Sequence, residues 1–91
     1  NGGFEIDEAV CIREFEKLAE RLDIEIRIVT EAPSGLCTVR GRRILFIDKT
    51  FDRKRKLAVF LREFRALELE GVFMPPILRE CLEMDDGPGD Q

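Results

Sequence analysis

The charged run Arg62-Glu63-Phe64-Arg65-Ala66 lies near the middle of a predicted helix that follows a predicted β-hairpin. A zinc site at such a place would need histidine or cysteine ligands, and the chain contains no histidine. Arg62 and Glu63 could be remnants of a site or line a reused pocket, or they could be exposed helix residues beside charged neighbours. Because Glu and Arg in helices are usually solvated, we favour the second interpretation.

The three cysteines, Cys11, Cys37 and Cys81, offer neither a metal site nor a nucleophile. Structural zinc usually takes ligands that are paired a few residues apart, and these cysteines are widely spaced. Cys37 has no histidine to act as its base, so we interpret it as a buried structural thiol. An odd number of cysteines within apolar patterns does not indicate a disulfide framework. We therefore expect no metal or other cofactor, and free thiols in a reducing, cytoplasmic protein.

Charge is distributed along the chain in three blocks. Residues 1–39 carry nine acidic and four basic side chains, and residues 57–91 carry eight acidic and three basic ones. Between these blocks, residues 40–56 hold eight bases against two acids, Asp48 and Asp52. The bases are Arg40, Arg42, Arg43, Lys49, Arg53, Lys54, Arg55 and Lys56.

The basic segment is the best lead to a partner. If the hairpin tip and the helix start lie on one edge, the eight bases form a cationic patch that could receive an acidic protein or a phosphate backbone. The chain has no Trp or Tyr for base stacking and a net charge of −4, which makes nucleic acid the weaker alternative. A simply solvated face is the third possibility.

Hydrophobic periodicity predicts the elements that position these residues. Apolar residues at three- and four-residue steps indicate helices over 7–22 and from Thr50 or Asp52 to Gly71, and Pro75-Pro76 opens a short third helix that ends at Met84. Three strands are expected at 24–29, 36–39 and 43–47, the last two joined by a tight turn at Gly41. The apolar run 44–47 predicts that the third strand is central and covered on both faces, or at least that it is the most buried strand.

The order α-β-β-β-α-α predicts an α+β fold, in which a small three-stranded sheet is packed by two main helices and a short C-terminal one. We expect one domain over residues 1–84 and a mobile acidic tail over 85–91. We interpret the start at Asn1-Gly2-Gly3 as an added or a trimmed start and leave open whether sequence precedes it. No apolar run is long enough to span a bilayer. A last apolar group could either complete the core or dock another subunit: Phe73, Met74, Ile77 and Leu78.

This layout resembles the core of zincin-like metallopeptidases, especially the small type that cleaves phage-repressor-like proteins. Residues 41–48 resemble the hairpin strand of that family, and Arg53-Lys54-Arg55-Lys56 resembles its charged lead into the zinc-binding helix. Residues 61–67 then fall where Ala-His-Glu-Leu-Gly-His-Leu would be expected. On this register Arg62 and Ala66 replace the two zinc ligands, and only Glu63, the position of the general base, keeps its type.

The resemblance implies a peptidase scaffold that lacks its metal site. Without a zinc-bound water there is nothing for the carboxylate of Glu63 to activate. We therefore expect a non-catalytic protein-interaction or regulatory domain whose partner is a protein with an acidic surface. The alternatives are a nucleic-acid accessory protein that uses residues 40–56, an enzyme with an unrecognised mechanism, and a fragment of a larger enzyme.

Overall fold

A computed structural model describes residues 7–84 of the chain. The six elements are α1 (Glu8–Arg21), β1 (Ile24–Val29), β2 (Gly35–Val39), β3 (Arg42–Asp48), α2 (Arg53–Ala66) and α3 (Pro76–Leu82). The α+β fold and the order α-β-β-β-α-α are as the sequence predicts. The expected tail, residues 85–91, lies outside the described residues.

The three strands form one mixed sheet with the order β1-β3-β2. The apolar strand β3 is central, as predicted, and it runs parallel to β1 and antiparallel to β2. The turn between β2 and β3 consists of Arg40 and Gly41, whose φ angles of 53° and 81° are both positive. Two positive φ angles define a type I′ turn, which matches the twist of the flanking strands.

The helices cover one face of the sheet. Ile24, Leu45 and Ile47 point into the shared core, where the rings of Phe15, Phe60 and Phe64 stack with centroids 5.3–6.0 Å apart. Side chains alternate along a strand, so Ile44 and Phe46 lie on the opposite face. Among the described elements no helix packs on that second face, so β3 is not covered by helices on both faces. The other interpretation of its apolar run is confirmed, since β3 is the most buried of the three strands.

Aspartates cap the two main helices, because a carboxylate satisfies the unpaired backbone N–H groups of the first turn. Asp7 accepts from Ala9 N at 2.9 Å, and Asp52 rather than Thr50 caps α2 by accepting from Arg55 N at 2.9 Å. Helix α2 ends at Ala66, before the predicted stop, because Leu67 already has an extended backbone with ψ of 153°. Gly71, with φ of 83°, belongs to a separate turn after the helix.

The expectation of three free thiols is wrong. Helix α3 folds back on α1 and brings Cys11 and Cys81 to a Cα–Cα distance of 5.8 Å, where they form a disulfide. The argument for a reducing, cytoplasmic location loses its basis with this bond. Cys37 is the free cysteine among the described residues, and it is exposed rather than buried because β2 is an edge strand. No helix within residues 7–84 has the length and apolar character to cross a bilayer.

Candidate functional site

Arg62 and Glu63 lie together on α2, over the point where the chain enters β2. Arg62 Nε donates to Glu63 Oε2 at 2.9 Å, and Arg62 Nη2 donates to the carbonyl oxygen of Ser34 at 3.2 Å. The backbone of Gly35 lies close to this pair of side chains: a Cβ atom added to Gly35 would be 3.4 Å from Glu63 Oε2. Ser34 Oγ in turn accepts from Asp48 N at 2.9 Å, so this corner joins α2, β2 and β3.

This corner is an ion pair rather than a metal site. The side chain of Arg62 is 60% exposed and that of Glu63 22% exposed, so the carboxylate is the more sheltered partner. Ala66, one turn further along α2, is exposed and offers no donor atom. A guanidinium stays protonated in proteins and has no lone pair for a cation. Arg62 and Ala66 therefore do not fit zinc, and the described residues contain no cluster of three or more His, Cys, Asp or Glu side chains.

The eight bases do not form one patch. Three of them, here called the hairpin cations, lie at the turn before β3 or at its start: Arg40, Arg42 and Arg43. The other five lie beyond the end of β3. The seven residues of β3 separate the two groups by about 20 Å, because a strand rises about 3.3 Å per residue. The second group, here the helix-start cations, comprises Lys49, Arg53, Lys54, Arg55 and Lys56.

Two of the hairpin cations have partners within the fold. Arg42 Nη2 lies 3.5 Å from Glu25 Oε1, and Arg43 Nη2 donates at 2.7 Å to the carbonyl oxygen of Leu22 at the end of α1. Glu25 also accepts from Arg27 at 2.7 Å. The hydrogen bond from Arg27, with the positive charges of Arg27 and Arg42, lowers the pKa of Glu25. Glu25 compensates only part of the positive charge at this end of the sheet, while the carbonyl of Leu22 holds the guanidinium of Arg43 in place.

The helix-start cations are less completely paired. Lys56 Nζ lies 4.0 Å from Glu16 Oε2, and the guanidinium of Arg55 lies 4.2 Å above the centre of the Phe51 ring. Within residues 7–84, the side chains of Lys49, Arg53 and Lys54 make no ion pair or hydrogen bond. The start of α2 therefore presents three uncompensated positive charges.

The two acids in this region are already engaged. Asp48 accepts from the backbone N and the hydroxyl of Thr50, both at 2.8 Å, and these bonds lower its pKa, with a smaller contribution from the charge of Arg55. Asp52 caps α2. Beside them, a shallow groove between the starts of α1 and α2 is lined by apolar side chains, two cations and one acid: Ala9, Ile12, Phe51, Arg53, Lys56 and Asp52.

The apolar group after α2 mostly completes the core. Leu78 is fully buried, and Met74 and Ile77 pack partly against the core. Phe73 is the exception with 72% exposure, although its carbonyl oxygen accepts from Arg21 at 3.0 Å.

Sequence reasoning missed that Ser34 and Gly35 lie beside Arg62 and Glu63, and that Asp48 lies beside Ser34. The signal for the turn at Asp48 was present, since an aspartate two residues before a threonine often bonds to the backbone at that position. No local pattern places Ser34 and Gly35 beside α2, because their contact with that helix depends on the order of the strands. No protein-family model, curated protein or solved structure matches this chain, so the likeness to zincins stays an expectation drawn from its residues.

Proposed function

We propose that this chain is a non-catalytic protein-interaction domain that binds an acidic segment of another protein at the helix-start cations. The observation that carries the proposal is the unpaired state of Lys49, Arg53 and Lys54 at the start of α2, within the described residues. Their charges add to the positive end of the helix dipole, which favours anions by about 0.3–1 kcal/mol per charge. An acidic ligand relieves this repulsion.

The adjoining groove supplies what a peptide needs besides charge. Ile12 and Phe51 offer apolar contact, while Arg53 and Lys56 place cations on the same walls. An acidic peptide with one large apolar side chain complements both features. Asp48 and Asp52 keep their negative charges, since their donors are neutral backbone N–H and hydroxyl groups, but the five helix-start cations outnumber them.

The non-catalytic part of the proposal rests on α2. On the zincin register, the ligand positions carry Arg62 and Ala66, and the carboxylate of Glu63 is held by Arg62 at 2.9 Å. A general base needs an open path to the proton that it removes. Retention of stoichiometric zinc by the purified chain, or turnover in a peptidase assay, would contradict this part.

The binding part is tested by titration with a fluorescent acidic peptide that carries a central phenylalanine. Removing the three unpaired cations together (Lys49→Ala, Arg53→Ala, Lys54→Ala) should weaken binding roughly tenfold, because three partly exposed contacts of ~0.5 kcal/mol sum to ~1.5 kcal/mol. Binding by the unaltered chain should also weaken as salt rises, because exposed charges are screened.

The matched control removes the same charge on other elements through Lys17→Ala, Arg27→Ala and Arg79→Ala, which are exposed in the structure. Equal losses in both triple variants would show that net charge alone drives the binding. A short DNA duplex serves as the competing ligand. If the duplex binds more tightly than the peptide at physiological salt, the partner is a nucleic acid and the proposal of a protein partner is wrong.

A further inference from the structure

The groove between the starts of α1 and α2 lies beside the point where the chain enters α1. Ala9 and Ile12 line its α1 side, and Arg53 and Lys56 line its α2 side. Asp7, two residues before Ala9, is the N-cap of α1 and has an extended backbone with φ of −69° and ψ of 129°. The segment that precedes Asp7 therefore joins the described fold within one helical turn of a groove wall.

That segment carries the chemistry that the groove takes. Its last three residues, Phe4-Glu5-Ile6, lie outside the described residues, and in sequence they set one carboxylate between two large apolar side chains. Ile12 and Phe51 give the groove an apolar surface, and the exposed Arg53 makes no ion pair among residues 7–84. Phe4-Glu5-Ile6 thus has the acidic and apolar character of the peptide proposed as the ligand of this site.

Phe4 can reach the groove without any change in the described fold. An extended chain advances by at most about 3.6 Å per residue, so the Cα atom of Phe4 lies within about 11 Å of that of Asp7. Helix α1 rises about 1.5 Å per residue, which places Ile12 about 7.5 Å along the helix axis from Asp7. Side chains of an extended segment alternate, so Phe4 and Ile6 can face the groove together while Glu5 stays at its rim.

We propose that Phe4-Glu5-Ile6 folds back into the groove of its own chain and competes there with the acidic peptide. The apolar side chains pack against Ile12 and Phe51, and the carboxylate faces Arg53. The competition rests on the proposed function, whereas the occupation of the groove does not. The chain thereby regulates the access of partners to its own binding site.

Apolar character selects this segment over the acidic tail. Residues 85–91 also follow a described residue near α1, since Met84 Sδ lies 3.8 Å from Cys11 Sγ. The tail holds three aspartates and no large apolar side chain, so it matches only the cations. Because the groove also holds the carboxylate of Asp52, a ligand with apolar contacts is favoured over one with charge alone.

The tether determines how far the segment closes the groove. Short linkers give effective concentrations in the millimolar range. At an effective concentration of about 2 mM, a segment whose own Kd is about 1 mM leaves about one third of the grooves open. An external acidic peptide then binds roughly threefold more weakly than it would to an open groove, because its Kd is divided by that open fraction.

Occupation of the groove is measured without any peptide through Phe4→Trp, because the chain has no Trp and the new indole alone is observed. Its fluorescence should be shifted to the blue and protected from acrylamide, relative to that of Phe73→Trp at a site that is 72% exposed. Adding Ala9→Glu to Phe4→Trp should remove the protection, because a further carboxylate on the groove wall opposes Glu5. Val10→Glu is the matched control in the same turn of α1 but outside the groove lining, and it should leave the protection unchanged.

Circular dichroism checks that each variant is folded, and acids are favourable in the first turn of a helix. An indole as accessible as that of Phe73→Trp overturns the proposal, and so do equal effects of Ala9→Glu and Val10→Glu. Protection that grows with protein concentration would show that the segment enters the groove of a second copy, which contradicts folding back on its own chain.

Competition is measured with the fluorescent acidic peptide. Phe4→Ala should tighten its binding roughly threefold, because the groove is then open. Phe73→Ala removes the same side chain at the other end of α1, where Arg21 bonds to the carbonyl oxygen of Phe73, and should leave the affinity unchanged. An unchanged affinity in Phe4→Ala would show that the segment and the peptide do not share the groove. If Asp85→Asn/Asp86→Asn tightens binding and Phe4→Ala does not, the tail occupies the site and the proposal is wrong.

The two readouts separate this proposal from that of a protein partner. A protected indole in Phe4→Trp without any peptide binding would refute the partner site, while the occupation of the groove by the segment would stand. Peptide binding that depends on the helix-start cations, together with an exposed indole, would refute the fold-back and leave the partner site intact.

Discussion

Reduction of the Cys11–Cys81 disulfide should lower the free energy of unfolding by about 4 kcal/mol. The bond closes a loop with a sequence separation of 70 residues. In the chain-entropy model, a loop of that length restricts the unfolded chain by about 15 cal/mol/K, which is about 4.4 kcal/mol at 25 °C. Reduction keeps both sulfur atoms in the core and makes no cavity, so the difference isolates the cross-link.

The assay compares thermal unfolding of the oxidised and reduced chain by circular dichroism. For a domain of this size, a change of 4 kcal/mol corresponds to a fall in Tm of roughly 20 °C. Cys37→Ser is the matched control, because Cys37 is free and exposed. This variant should show the same difference between its oxidised and reduced forms as the unaltered chain does.

Two results would refute the reasoning. Alkylation of the unfolded, unreduced chain should modify one thiol, that of Cys37; modification of all three would show that the bond does not form. If the bond is present but its reduction changes the unfolding free energy by less than ~1 kcal/mol, the loop-entropy argument fails. The unfolded chain would then already hold α1 close to α3.

Three further predictions concern the turn, the core and acid stability. Gly41→Ala should cost about 1 kcal/mol in chemical denaturation, because φ is 81° and the new methyl group would meet nothing within 4 Å, so the loss is backbone strain alone. Phe60→Ala should cost about 3–5 kcal/mol by the same measurement, because Phe60 is fully buried in the aromatic stack, while Phe73→Ala at an exposed site should change stability by less than ~0.5 kcal/mol. The pKa values of Glu25 and Asp48 are lowered in the folded chain, so their stabilising contribution is present above the ordinary carboxyl pKa of about 4 and is lost as pH falls through the folded values. Melting curves from pH 7 downward should show this loss, and Glu25→Gln should reduce it.

Local chemistry made most of the fold predictable. The alternation over 24–29 gives the bounds of β1, because its period of two is carried by three isoleucines with charged residues between them. Asp52 could be predicted as a cap because a side-chain oxygen suits the unpaired N–H groups of a helix start. These predictions need only residues that are neighbours in the chain.

Properties that depend on pairing between distant segments could not be predicted in the same way. Cys11 and Cys81 are adjacent because α3 returns to α1, and nothing in their spacing reveals that path. The exposure of Cys37 follows from its place on β2, which the strand order puts at the edge of the sheet, and on the face where no helix packs among residues 7–84. The eight bases of residues 40–56 are close in the sequence, but they do not form one patch. The strand β3 separates the hairpin cations from the helix-start cations by about 20 Å.

The start of α2 shows how a fold can keep an unfavourable local feature. Four consecutive bases, residues 53–56, occupy the first turn with no acid among them, each opposed to the helix dipole by at most about 1 kcal/mol. The same helix buries Leu57, Phe60, Leu61 and Phe64, each of which contributes about 1.5–3 kcal/mol on leaving water. Burial therefore outweighs the repulsion, and α2 forms in spite of its charges. Arg55 and Lys56 still make contacts with Phe51 and Glu16, but Arg53 and Lys54 make none among the described residues, and acidic residues would be the better choice at those two positions if stability alone mattered.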